Sequence, residues 1–374
     1  MPAASASDTS TASSSAPTSS PPASPPPSST APDPPHYQLV EIPRLAITGS
    51  VTASAVNSQG IVVGDQQTTA ADRAWMYQQS SGALSELTFD PSESGASAKG
   101  ISDTGVIAGE EISGPAGLHA GFWTVTGGAM LLTGQSDSEW AVAANDNGII
   151  LGDYGDSGSP GSAALTWSAP GYAETVLPGL RCDNCARLMI SANAINDGGT
   201  AVGQSQSAIY DNGTFVSGGL FAVQWQSGTA TSLGSLQDSG TSAAYGINNN
   251  GDVVGSSRVG QASGAPSHAF LYHQGTMMDL GVLSGDANSS ADCINDSGQA
   301  VGVSSDAAGT QRAFLYQNGQ MYDLNSLIDP ASPLTGRVSL QEAVGISANG
   351  LIAVNGTDSQ DPGWTRAFLL IPLK

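Results

Sequence analysis

The residues able to do chemistry are few and scattered. Cys182 and Cys185 stand as CDNC, a spacing used by zinc knuckles, redox helices and small loop disulfides alike. No second CxxC completes a thiolate set, and no helix start flanks the pair. A local disulfide is therefore the first reading, two free thiols the second, and metal ligation the last. The four histidines, His36, His119, His268 and His273, form no HExxH or other metal-ligand spacing. No GxSxG elbow, phosphate-binding loop or dinucleotide fingerprint sits between a strand and a helix. The acidic loops Asp153 to Asp156 and Asp358 to Asp361 could hold calcium, although neither has EF-hand spacing. No catalytic residue is assigned, and no other cofactor is expected.

What positions such residues is a repeated unit, clearest from Tyr245 to Leu283: GINNNGDVVG, a variable gap, HAFLY, a turn, and MMDLGVL. Two pairs of short apolar runs, each joined by a glycine-containing turn, describe a four-stranded antiparallel sheet. A sheet unit of roughly 40 to 50 residues cannot bury both faces alone and must stack on its copies. The unit occurs seven times, with Asn or Ser opening each turn and Gly closing it, at 57–60, 102–105, 145–148, 196–199, 248–251, 295–298 and 347–350. The Asn or Ser side chain caps the turn, and Gly takes a positive φ.

The residue two places before each turn's Asn or Ser is small: Ala55, Gly100, Ala143, Ala194, Gly246, Cys293 and Gly345. That pattern marks the crowded inner strand of a ring, and it makes Cys293 a packing residue rather than a nucleophile. The third strand carries Ala followed three residues later by an aromatic in six units, as in Ala164 and Trp167. The ring is expected to fill the wedge between neighbouring sheets.

The final unit ends in RAFLLIPLK and lacks a fourth strand, while LVEIPRL near the N-terminus resembles the fourth-strand sequence MMDLGVL. An N-terminal strand that completes the last sheet would close the circle and remove both edges. The predicted fold is an all-β, seven-bladed β-propeller of four-stranded antiparallel blades, closed in this way. Comparison among the units adds ion pairs across the third and fourth strands: Arg73 with Glu86, His268 with Asp279, Arg312 with Asp323, and, given the closure, Arg366 with Glu41.

The propeller is expected to span residues 37–374. Residues 1–36, rich in Pro, Ser, Ala and Thr, read as a disordered tail or stalk. Lys and Arg total 10 against 32 Asp and Glu, a net charge of -22 that repels nucleic acid and anionic membranes. No apolar run can cross a membrane. No export signal follows Met1, yet the stalk suits a secreted or surface-tethered protein whose signal has been removed.

The GIN, VVG, HAF and DLG motifs, in this order, resemble the HAF repeats of extracellular bacterial proteins. The resemblance covers nearly everything after the tail and is clearest in the fifth and sixth units; the second to fourth depart from the triplet. It implies secretion or surface attachment and brings no catalytic residues with it. Function should sit on the long connections between the second and third strands and between units, which emerge on one face around the channel mouth. Trp140, Tyr154, Arg181, Tyr210 and Trp364 are the ligand-binding candidates there. The expectation is a monomeric extracytoplasmic binding module for a glycan or an extracellular protein. The alternatives are a polysaccharide lyase or hydrolase with its site at the channel mouth, and a structural surface protein.

Overall fold

In the computed structural model the seven units become seven four-stranded antiparallel sheets, the blades of a β-propeller. The structure describes residues 35–373 except 70, 89–94, 113–116, 133–137, 156–161, 184–188, 212–213, 238–239 and 263, with backbone alone at 209–217. The expected tail thus lies outside the described residues, apart from Pro35 and His36. Among the described residues one 3-10 turn, Leu324–Leu327, interrupts the all-β pattern, and no helix is long and apolar enough to cross a membrane.

The first strand of each blade touches the first strand of the next, and that of blade 7 (Val338–Ile346) returns to that of blade 1 (Val51–Val56). First strands therefore line a closed axis. Each is kinked by a β-bulge, as between Ala53 and Ala55, Ala98 and Gly100, and Ala291 and Cys293. The space beside the bulge is occupied by a glycine of the second strand: Gly64, Gly109, Gly152, Gly203, Gly255, Gly302 and Gly356. A Cβ at any of these would lie between 1.9 and 2.2 Å from a first-strand carbonyl oxygen. Contact distance, not backbone conformation, demands glycine here. Crowding also acts between blades: a Cβ on Gly100 would come within 2.7 Å of the Val142 carbonyl oxygen, and one on Gly246 within 3.0 Å of the Cys293 Cα.

An aromatic ring covers the glycine's other side in blades 1, 2, 3 and 5. Trp75 and Phe270 stand directly across from Gly64 and Gly255, whereas Trp123 and Trp167 reach Gly109 and Gly152 from two residues further along the third strand. The expected Ala-plus-three aromatic is the most deeply buried ring only in blades 2 to 4, at Trp123, Trp167 and Trp225. In blades 1, 5, 6 and 7 the most deeply buried ring is the residue after Ala: Trp75, Phe270, Phe314 and Phe368. Where one position holds the more deeply buried ring, the other holds Gly121, Leu165 or Val223, a less deeply placed Tyr, or, in blade 7, the fully buried Leu370. One wedge is filled from either of two positions on the same strand face.

Blade 7 has sheet order N-terminal strand Tyr37–Glu41, Thr365–Pro372, Ile352–Asp358, Val338–Ile346. Tyr37 lies opposite Pro372 and Glu41 opposite Phe368. Tyr37, Leu39 and Ile42 are buried, and burial pushes the Tyr37 phenol up to about 12. Charge reinforces the seam. Arg366, 1% exposed, pairs with Asp361 and lies 3.9 Å from Glu41; Arg337 reaches Asp358 at 2.7 Å and Glu41 at 3.6 Å. Elsewhere Arg73 meets Glu86, His268 meets Asp279 at 2.9 Å, and Arg312 meets Asp323 at 3.2 Å and Asp286 at 2.8 Å. The acids stand opposite Trp75, Phe270 and Phe314, so each base reaches diagonally across two residues. These partly exposed pairs contribute about 0.2–1 kcal/mol each.

Two outcomes follow for stability. Removing residues 37–45 leaves an open edge on Thr365–Pro372 and should give an aggregating or unfolded chain by size-exclusion chromatography; a truncated chain that elutes as the full chain does and is equally stable would contradict the closure. Gly302→Ala should cost about 3 kcal/mol in denaturant unfolding, because its Cβ meets the Ser290 carbonyl. Gly363→Ala, with open space around it, should change stability by less than about 0.5 kcal/mol.

Candidate functional site

The axis and the blade junctions each create a concavity. On the short-turn face the seven Asn- or Ser-to-Gly turns converge around a polar cavity of about 170 Å³. Here a turn asparagine has two tasks. Asn248 accepts the Asn250 and Asp252 amides on Oδ1 (3.0 and 2.8 Å) and donates Nδ2 to the Asn295 carbonyl of the next blade at 3.0 Å. The same cross-blade bond joins Asn57 to Ser102, Asn145 to Asn196, Asn196 to Asn248, and Asn295 to Ser347. Serine is too short to repeat it, so other groups serve there. Asp146 accepts from Thr104 at 2.9 Å, and Asn349 donates to the Ser58 carbonyl at 3.0 Å. A second circle of carboxylates, Asp103, Asp197 and Asp296, accepts backbone amides of Ser58, Asp146 and Asn249. The polar groups at this mouth are therefore engaged in holding blades together.

A larger cavity, of about 400 Å³, lies between blades 2 and 3 at the long-loop end. Lys99 and Val142 are the bulge residues of the two first strands and form its floor; Leu118, Ser138, Trp140 and Gly155 form its rim. Trp140, half-buried, offers an aromatic surface. Lys99 Nζ lies 3.3 Å from Glu110 Oε1, and the glutamate is nearly enclosed while the lysine is about a third exposed. Lys99 also pulls against the burial that pushes Asp65 of blade 1 upward. The only other lysine in the chain is Lys374. Ligand clefts commonly measure roughly 300–1,000 Å³ and combine apolar walls with a few fixed polar groups, which is this cavity's make-up.

The five sequence candidates do not form one site. Trp140 lines the cleft. Tyr154, on the adjoining strand, packs half-buried against the core between blades 2 and 3. Exposed Arg181 is held by Asp183 through two bonds of 3.0 and 2.9 Å. Trp364 is exposed in the last connection of blade 7, and the Tyr210 side chain lies outside the described residues. Lys99, Glu110 and Val142 were not singled out from sequence. A lysine at a bulge position, in a chain whose one other lysine is Lys374, was the available signal.

Cys182 is disulfide-bonded and Cys293 is a free thiol raised by burial; Cys185 lies outside the described residues. The Cys182 segment runs beside the long hairpin of blade 4, with a parallel bridge to Ala208 and an Asp183 amide bond to the Ala208 carbonyl of 2.7 Å. Of the acidic loops, Asp156 is outside the described residues. Asp358 is engaged by Arg337, and Asp361 by Arg44 and Arg366. Among the described residues no group of three or more His, Cys, Asp or Glu is arranged to hold a metal.

No protein-family model matches the sequence, and no curated protein matches it. Solved structures do. The β-propeller domain of the Trilobed protease from Pyrococcus furiosus aligns with a TM-score of 0.56 at 8% identity, over 87% of this chain and 94% of that one. Pyrococcus horikoshii acylaminoacyl peptidase gives 0.56 at 11% identity, over 87% of this chain and 52% of that one, so this chain spans about half of its length. Virginiamycin B lyase from Staphylococcus aureus gives 0.50 at 11% identity, over 90% and 99%. At such identities the likeness is one of fold. The Trilobed protease domain is described as having an open Velcro topology. Here the N-terminal strand pairs with the last blade.

One buried acid gives a pH test. Asp153, 1% exposed, accepts the Ala192 amide at 2.8 Å, and burial pushes it up to about 7. The folded protein then retains a proton that the unfolded chain releases near its ordinary value of about 4, so this group's contribution to stability falls as pH rises from about 4 to about 7. Asp153→Asn keeps the acceptor and removes the charge. It should raise the melting temperature at pH 8 and leave it nearly unchanged at pH 4; the reverse order would contradict the assignment.

Proposed function

We propose that this chain is an extracytoplasmic binding propeller that takes a glycan in the cleft between blades 2 and 3, on its long-loop face. The observation that carries the reading is Trp140 beside the Lys99–Glu110 pair in a cavity of about 400 Å³. An aromatic face packs on the C–H side of a sugar ring, while a lysine and a carboxylate donate to and accept from its hydroxyls. Lys99 already faces Glu110 and Asp65, so the cleft carries no surplus positive charge and suits a ligand without a strong negative one. A disulfide-bonded Cys182 and the likeness to HAF repeats support a secreted or surface-tethered setting. Binding is favoured over polysaccharide cleavage because glycosidase chemistry generally needs two carboxyl groups flanking the bond, and the described cleft lining offers Glu110 alone, held by Lys99.

Titration calorimetry of the full chain against neutral and uronate oligosaccharides, with calcium and with chelator, tests the reading. A neutral oligosaccharide should bind, and Trp140→Ala should weaken it about tenfold or more, equivalent to roughly 1.4 kcal/mol, without lowering the melting temperature. Unchanged affinity in Trp140→Ala, or no binding across the panel, would overturn it. New reducing ends in the same samples would replace binding by catalysis.

A further inference from the structure

The blade 2–3 cleft has a counterpart three junctions away. A cavity of about 180 Å³ between blades 5 and 6 is built from the same positions of the repeat. Tyr245 stands at the bulge where Lys99 stands, Ser256 replaces Glu110, Ser267 replaces Leu118, Asn288 replaces Ser138, and Ser290 replaces Trp140. The fold thus forms the same hollow at these two junctions and furnishes it differently. The ion pair becomes a hydroxyl pair, with Ser256 Oγ 3.5 Å from Tyr245 Oη. Among the described residues, no charged side chain lines the hollow.

The polar groups are left with capacity to spare. Asn288 spends Oδ1 on the Ser267 amide at 3.1 Å, which leaves its Nδ2 to donate. The Ser290 hydroxyl donates to Asp292 Oδ1 at 2.8 Å, which leaves the Ser290 oxygen to accept. Gln311, exposed at the rim, brings a complete amide. Amides and hydroxyls that both donate and accept, beside one phenol ring, match a polyol whose hydroxyls do the same; an ion would find no counter-charge on the walls. We propose that this junction is a second subsite, selective for a single uncharged sugar unit, so that one propeller engages glycan at two of its seven junctions. The proposal rests on the glycan reading of the first cleft.

The test is saturation-transfer NMR of the full chain with a mixture of methyl glycosides of glucose, galactose, mannose and fucose. Spectra are compared for the native protein, Trp140→Ala, Tyr245→Ala, Gln311→Ala and the Trp140→Ala/Tyr245→Ala double variant. Transfer to at least one sugar should survive in Trp140→Ala, fall in Gln311→Ala, whose exposed position does not threaten folding, and vanish in the double variant. If Trp140→Ala alone abolishes transfer while Tyr245→Ala and Gln311→Ala keep it in full, the second subsite is refuted and the first stands. If Tyr245→Ala and Gln311→Ala abolish it and Trp140→Ala changes nothing, the second subsite stands and the first is refuted. No transfer to the native protein refutes both.

Discussion

The close approach of a bulged first strand to the glycine behind it is the constraint on which this propeller depends. Seven first strands share one axis, and the carbonyl beside each bulge occupies the space that a Cβ on the second strand would need. The glycines permit that approach, and large rings then close over them from the third strand. Because backbones this close have no tolerance for lateral drift, the inner ends must also be tied to one another. The turn asparagines do so, each capping its own turn with one side-chain atom and reaching the next blade with the other. A single residue type thus links local turn geometry to ring closure.

Much of this was legible in the sequence. Seven turns with a glycine of positive φ, the small inner-strand slot and the borrowed N-terminal strand all follow from pattern, because a repeat prints each local requirement seven times. Trp75 and Trp123 show where legibility ended. Both rings fill the same wedge from different positions, and a rule written for one position misses half the blades. The second task of Asn248 was also hidden, since a side chain that caps its own turn gives no hint that its remaining donor crosses to a neighbour.

The site was harder to read for a related reason. Repeats advertise what is shared, whereas the proposed binding cleft depends on the side chains that one junction changes. Lys99 and Trp140 belong to different blades and come together only because their strands are adjacent at mid-height and at the long-loop end. Arg181 and Tyr154, equally conspicuous in sequence, are occupied by Asp183 and by core packing. The polar mouth at the opposite end of the axis is the more regular feature, yet its groups are committed to cross-blade bonds. Regularity there serves the ring, and the side chains that change from junction to junction, as between blades 2 and 3, carry the proposed site.

Hydrogen–deuterium exchange of the full chain, with and without the tightest-binding oligosaccharide, bears most directly on this division of labour. The account predicts added protection at 97–101 and 138–142, with the seven short turns already protected and unchanged by ligand. Protection centred on those turns, or none at 138–142 when ligand is bound, would contradict it.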